Sequence, residues 1–232
     1  MALAVGELAG LDLFHHLHPS VQSAAAMDEI LTLLDWKRRV FALYQSVRSA
    51  ADPEEAWGLW RDTRDELYRS HSQSPLSEGS RGDFAGLEYF EYDPSLRVLA
   101  DVSAAGQEPR PIGASGDESV LFRRFAVASF ELDGEEQALE LHWLEGYGGG
   151  IFLAFADGTS GSETYGGGRY VLDSVKGADL GMDDERLVLD FNFAYNPSCA
   201  YDARWICPLA PAANRVAAAI RGGERLPPTL AY

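Results

Sequence analysis

The chain reads as a mainly β protein: an antiparallel, barrel-like or sandwich domain preceded by an N-terminal helical hairpin. Three observations predict this. Apolar residues recur at helical spacing from residue 28 to about 71, and the period then shortens to that of strands after Ser74-Pro75. Beyond that point short apolar runs alternate with turn signals, Asp133-Gly134 and the 157–161 stretch Asp-Gly-Thr-Ser-Gly being the strongest. No further helical pattern separates those runs, which argues against an alternating α/β sheet.

Residues 1–26 differ from the rest of the chain and are expected to form a flexible leader, with Met27 as the natural start. The segment lacks a basic n-region, and Glu7 and Asp12 break its apolar stretch, so it does not read as a signal peptide. His15, His16 and His18 have no cluster of carboxylates or cysteines beside them that would suggest a metal. Residues 27–71 form the expected hairpin. Ile30, Leu33, Leu34, Val40, Phe41, Tyr44 and Val47 make one helical stripe. Asp52-Pro53-Glu54-Glu55 then supplies an N-cap, a proline in the first turn and a capping-box acid. The second helix aligns Trp57, Trp60, Arg64, Leu67 and Tyr68, a core stripe rather than a ligand box.

Residues 72–232 constitute the β-rich domain, with no boundary inside 76–226. Strands are expected at 87–92, 96–102, 120–132, 137–144, 151–155, 164–172, 186–193 and 216–220, and a loop at 103–118, which is rich in Gly, Pro, Ser and charge. Tyr147-Gly-Gly-Gly and Tyr165-Gly-Gly-Gly echo each other, and a fold-back at 157–161 would place them on adjacent strands.

The charge excludes two functional classes. The 232 residues carry 36 acidic and 19 basic side chains, a formal charge of −17, and only Lys37 and Lys176 are lysines. Nucleic acid and anionic membrane surfaces both demand clustered cations, so neither is an expected partner. No 18-residue apolar run is available to span a bilayer. An acidic cytoplasmic protein is the expectation. Cys199 and Cys207 lie eight positions apart, a spacing that permits a short loop disulfide but matches neither a CxxC motif nor half a zinc site. In the cytosol two reduced, structural thiols are expected, and no metal.

Polar side chains concentrate between residues 157 and 214. Strand parity aligns Tyr165 with Arg169 and sets Asp190 and Asn192 opposite Leu187, Leu189, Phe191 and Phe193; Tyr195 and Asn196 come next along the chain. Arg169 could offer a planar donor fork to a carboxylate or phosphate, with Tyr165, Asp190, Asn192, Tyr195 and Asn196 binding the rest of a small polar ligand. Equally, Arg169 and Asp190 could pair with each other as structure. Gly166-Gly167-Gly168 lacks the GxGxxG and GxxxxGK patterns, and Ser160 and Ser162 sit in no GxSxG elbow. His142 is a lone strand histidine. Cys199 could serve as a nucleophile given a histidine nearby in space.

One long string is distinctive. Thr159-x-Gly161-x-Glu163-Thr164-Tyr165-Gly166-Gly167-Gly168-Arg169-Tyr170, Leu189-Asp190-Phe191-Asn192-Phe193-Ala194-Tyr195-Asn196-Pro197-Ser198-Cys199-Ala200-Tyr201 and Cys207-Pro208-Leu209-Ala210-Pro211 with Asn214 resemble an uncharacterised prokaryotic family, domain of unknown function 1684. Phe84-x-Gly86-Leu87, Tyr92-Asp93-Pro94 and Arg97 resemble its earlier part, so the likeness is expected to cover about residues 72–226 and the helical hairpin as well. The resemblance implies no known activity or cofactor. It implies that Arg169, Asp190, Asn192, Asn196, Cys199, Cys207, Pro208 and Asn214 belong to the family pattern. Three functions are therefore expected to compete: a module binding a small polar or anionic ligand in a barrel-like pocket, a small-molecule hydrolase using Asp190 or Cys199, and a purely structural or interaction protein.

Overall fold

The computed structural model describes residues 24–115, 119–146 and 148–227. The leader as far as residue 23, with its three histidines, lies outside the described residues; Ala24 to Ala26 already belong to the first helix. That helix, α1 (Ala24–Ser49), and α2 (Pro53–Ser70) make the expected hairpin. Asp52 caps α2 as its sequence demands: its Oδ1 accepts the Glu54 and Glu55 N–H groups at 2.8 and 3.4 Å. A single turn, α3 (Glu78–Arg81), comes next.

Seven strands build one antiparallel, curled half-barrel: β1 (Arg97–Gly113), β2 (Ser119–Leu132), β3 (Glu135–Leu144), β4 (Ile151–Phe155), β5 (Arg169–Asp173), β6 (Met182–Asp183) and β7 (Arg186–Asp190), in the order β5-β4-β3-β2-β1-β7-β6. The β2–β3 turn is the one its sequence specifies, with Asp133 at φ 53° and Gly134 at φ 78°, both left-handed. The ends of the sheet nearly meet, because Tyr170 on β5 exchanges backbone hydrogen bonds of 2.9 and 3.0 Å with Tyr195, beyond β7.

Several expected elements differ. Residues 103–113 are strand, not loop. Only 97–100 of β1 pair with β7, and the rest pairs with β2, so Pro109 and Pro111 lie where β1 has outrun its β7 partner and need no N–H toward it. Residues 87–92 and 216–220 form no strand; the first makes one isolated bridge, Tyr89 with Glu224. Residues 164–168 are turns leading to a shorter β5, and 191–193 tighten into a 3-10 turn capped by Asp190. Residues 148–150 precede β4 and 166–168 precede its neighbour β5, so the glycine runs flank adjacent strands rather than lying within them. Phe155 pairs with Arg169 and Phe152 with Asp173, which puts the runs at opposite ends of the β4–β5 hairpin.

Apolar side chains fill both faces of the sheet. Along β4, Leu153 and Phe155 enter the concave core with Leu139, Leu189, Phe191 and Ile220, whereas Phe152 and Ala154 join Trp57, Trp60, Leu43 and Tyr44 under the helical hairpin. The segment after Tyr195 has little regular structure but is tied down by backbone bonds such as Glu224 N–H to Ala194 O at 2.8 Å. Gly223 makes this possible. It sits at φ 74°, and a Cβ there would lie 2.2 Å from the Ala194 oxygen. Among the described residues no helix is long and apolar enough to cross a membrane.

Candidate functional site

Five of the six predicted ligand-binding residues are buried and bonded to the chain itself. Arg169, 1% exposed, gives one terminal nitrogen to Asp157 Oδ2 at 2.7 Å and to the Ile220 carbonyl at 2.8 Å; the other reaches the Gly222 carbonyl and, at 3.2 Å, that of Glu224. The expected Arg169–Asp190 pair is thus replaced by Arg169–Asp157. The 156–168 loop carries Asp157 back over the end of β5, a return that strand parity cannot reveal. Asp190 instead caps the turn behind it, its Oδ1 accepting the Asn192 N–H and Nδ2 at 3.0 and 2.9 Å. Asn192 bonds Asp93 in both directions. Tyr195 lies beneath the Arg64 guanidinium, 4.9 Å from its ring centre, and the Asn196 N–H donates to Glu224 Oε2 at 2.7 Å.

Glu224 and Arg64 complete this buried network. Glu224 is fully buried; its Oε1 accepts from Arg64 Nε at 2.9 Å and its Oε2 from the Tyr201 hydroxyl at 2.7 Å. Arg64 sits in a helical stripe and Glu224 between Gly223 and Arg225, so nothing local marks either as a partner.

Burial raises the Asp190 carboxyl pKa, with the Asn192 bonds and Arg97 opposing. A carboxyl raised in the folded state contributes stability that is complete below its unfolded pKa and lost as pH rises through the folded one. At neutral pH its charge is therefore a liability. Asp190→Asn, which retains the accepting oxygen, should melt no lower than the wild type at pH 7, and its advantage should fade toward pH 4. Asp190→Ala loses the acceptor and should cost about 1–3 kcal/mol. Melting curves of the two variants at both pH values check this; an Asn variant as unstable as the Ala variant would contradict it.

A second cluster lies on the loop after Asn196. Pairing between β1's end and residues 207–209 holds it (Ser115 N–H to Cys207 O at 3.0 Å, Leu209 N–H to Gly113 O at 2.9 Å), while Trp205 Nε1 donates to the Pro75 carbonyl at 3.0 Å. This brings the two free cysteines together: the Cys199 N–H donates to Cys207 Sγ at 3.3 Å. The Cys207 N–H is held by Ser115 Oγ at 3.1 Å, and the Tyr165 hydroxyl lies 3.7 Å from Cys199 Sγ. Gly167 gives the Tyr165 ring its place, since a Cβ there would come within 2.5 Å of it. Cys207 is buried, Cys199 only half-buried. The thiol of Cys207 holds Cys199 down at about 6, with Ser115 and Tyr165 assisting against partial burial. Cys207 moves the opposite way, because it keeps the shared proton and is buried. Ser115, 84 residues before Cys199, falls in the stretch expected as loop, so the sequence does not mark it as a neighbour. No group of three or more metal-ligating side chains occurs among the described residues.

The family described as "Protein of unknown function (DUF1684)" matches residues 82–225. The chain belongs to this family. The DUF1684 match begins after α1 and α2 and includes every strand, the Arg169 network and the cysteine loop. The chain is also similar to an uncharacterized protein of Haloarcula marismortui solved by NMR in solution, with 37% identity over 74% of this chain and 92% of that one, and a TM-score of 0.54. No curated protein matches. Among the described residues of the DUF1684 region, Cys199 with Tyr165 and Cys207 is a partly exposed cluster with a lowered thiol pKa, whereas the charged groups around Arg169 and Glu224 are sealed.

Proposed function

We propose that this DUF1684 protein is a cytoplasmic thiol protein whose working group is the Cys199 sulfur, acting as a nucleophile toward small electrophiles. The observation that carries the reading is the half-buried Cys199, its sulfur 3.7 Å from the Tyr165 hydroxyl and its backbone N–H bonded to the Cys207 sulfur at 3.3 Å. Thiolates, not thiols, attack, and this setting supplies hydroxyl and thiol donors to the anion. The groups acting most strongly on Cys199 are Cys207, Ser115 and Tyr165, with no imidazole among them. That composition suits reactions that need a standing thiolate and fits acyl hydrolysis poorly, because an amide or ester leaving group needs a general acid. Ligand capture by Arg169 or hydrolysis by Asp190 would require side chains that are 1% exposed to meet solvent.

Alkylation tests the reading. At about pH 5.5 a thiol titrating near 6 is roughly a quarter ionised, against about one part in a thousand for an ordinary cysteine. Weaker basicity offsets part of that gain, with a Brønsted slope of about 0.4–0.5, leaving an advantage on the order of tenfold. Iodoacetamide should therefore label Cys199 selectively at that pH, with a rate that rises to a plateau through a midpoint of about 6, while Cys207 stays unmodified. Equal labelling of the two cysteines, or a midpoint near 8.5, would remove the proposal.

A further inference from the structure

We infer that Cys199 and Cys207 form a peroxide-reducing dithiol, Cys199 being attacked by a neutral hydroperoxide and Cys207 resolving the product as an internal disulfide. This rests on the reading of Cys199 as a nucleophilic thiol and adds a substrate class, a second residue and a reaction. The geometry carries it. The Cys199 backbone N–H donates to the Cys207 sulfur at 3.3 Å, which brings the two cysteines together from eight residues apart, and each is held by groups outside the turn between them: Tyr165 beside the sulfur of one, Ser115 at the backbone of the other. The first is half-open to solvent and the second is sealed. That asymmetry assigns the roles, since an oxidant reaches Cys199 and only Cys207 lies within reach of what it leaves there. A low-pKa accessible cysteine poised beside a resolving one is the arrangement in which sulfenic acids end as disulfides.

Charge selects the electrophile. With a formal charge of −17 the protein repels anionic reagents, while a neutral hydroperoxide approaches without penalty. Among the described residues the groups acting most strongly on Cys199 are thiol and hydroxyl groups, which suits a bond that breaks without an imidazole, and the O–O bond is weak. In the first step the Cys199 thiolate attacks the terminal oxygen of ROOH; the S–O bond forms, the O–O bond breaks, and the departing alkoxide takes a proton from solvent as ROH. In the second step the Cys207 thiol gives its proton to the sulfenic oxygen as its sulfur attacks the Cys199 sulfur; the S–S bond forms, the S–O bond breaks, and water leaves. Two thiols and one hydroperoxide thus give one disulfide, one alcohol and one water, the sulfurs losing the two electrons the peroxide gains.

The test uses the fully reduced whole chain, hydrogen peroxide and intact mass. The wild type should lose two hydrogens, recover them with dithiothreitol, and give a peptide linking residues 199 and 207. Cys207→Ser should stop at a sulfenic acid on Cys199, captured by dimedone. Cys199→Ser should leave Cys207 reduced over the time in which the wild type is oxidised, its reaction slower by on the order of tenfold or more because a buried, protonated thiol reacts slowly with an oxidant arriving from solvent. Alkylation at Cys199 that proceeds as expected, with peroxide giving only sulfinic acid and no internal disulfide in the wild type, would overturn the dithiol inference and leave the nucleophile standing. Failure of selective alkylation itself would remove both. Disulfide formation in the wild type at the same rate as Cys207 oxidation in Cys199→Ser would reverse the roles and overturn the assignment.

Discussion

Arg169→Leu is expected to destabilise the fold by about 3–5 kcal/mol, because it strands the fully buried Asp157 carboxylate without its cation. The loss is larger than that of an ordinary ion pair for a second reason. The guanidinium also serves the carbonyls of Ile220, Gly222 and Glu224, which close the irregular C-terminal segment over the barrel end. Those oxygens have water in the unfolded chain and would have no replacement in the folded one. Lysine does not repair the site, since a single ammonium cannot match four acceptors spread around a planar fork. Asp157→Asn keeps the bond to the Thr159 N–H and removes the stranded charge, so the double variant should lose less than the sum of the single ones. Urea midpoints of the four proteins measure the coupling, and a value of zero would show that the pair is not the source of the cost. The pairing of Arg169 with Asp157 has a further consequence: Arg169→Leu and Asp190→Asn should add within about 0.5 kcal/mol, as independent sites do.

What the sequence made legible was local. The Asp52 cap, the Asp133-Gly134 turn and the strand at 151–155 each depend on neighbours within a few positions, and each forms as those neighbours dictate. What it hid was decided across the chain. Pro109 and Pro111 argue for a loop until it is known that β7 does not extend beside them. The apolar stripe of α1 reads as one buried face; Tyr44 and Val47 are buried, but Ile30, Leu34 and Phe41 are 39–46% exposed, because the sheet and α2 cover only part of the helix's latter half. At the candidate site the residue types are visible in the sequence and their partners are not. Arg169 stands out, yet Asp157 and Glu224 reach its surroundings through turns. Cys199 and Cys207 are visible as a pair, but Tyr165 and Ser115, which make Cys199 unlike Cys207, come from 34 and 84 residues away.

Trp60→Ala should cost about 3–5 kcal/mol, and the loss should fall on the whole molecule rather than on the helical hairpin alone. Trp60 is fully buried on α2. Its indole N–H donates to the Tyr44 hydroxyl on α1 at 3.1 Å, and its ring meets Tyr89 and Phe193 edge-on at 5.6 and 5.4 Å. One side chain therefore joins both helices to the segment that pairs with Glu224 and to the turn after β7. The cluster around it mixes Leu43, Val47 and Trp57 of the hairpin with Phe122, Phe152 and Tyr170 of the sheet, so neither part can open without exposing apolar surface of the other. Far-ultraviolet and near-ultraviolet melting curves of the variant should accordingly shift together and remain superimposable. Trp60→Phe, which keeps most of the buried area and gives up the indole bond, should lose less than about 1.5 kcal/mol. A separate early loss of helix in Trp60→Ala, with the sheet melting at the wild-type temperature, would make the hairpin an appendage. The family match starts at residue 82, beyond both helices, yet the packing makes them part of the same cooperative unit: they cover the face of β4 and β5 opposite the concave core, and without them Phe152 and Tyr170 would face water.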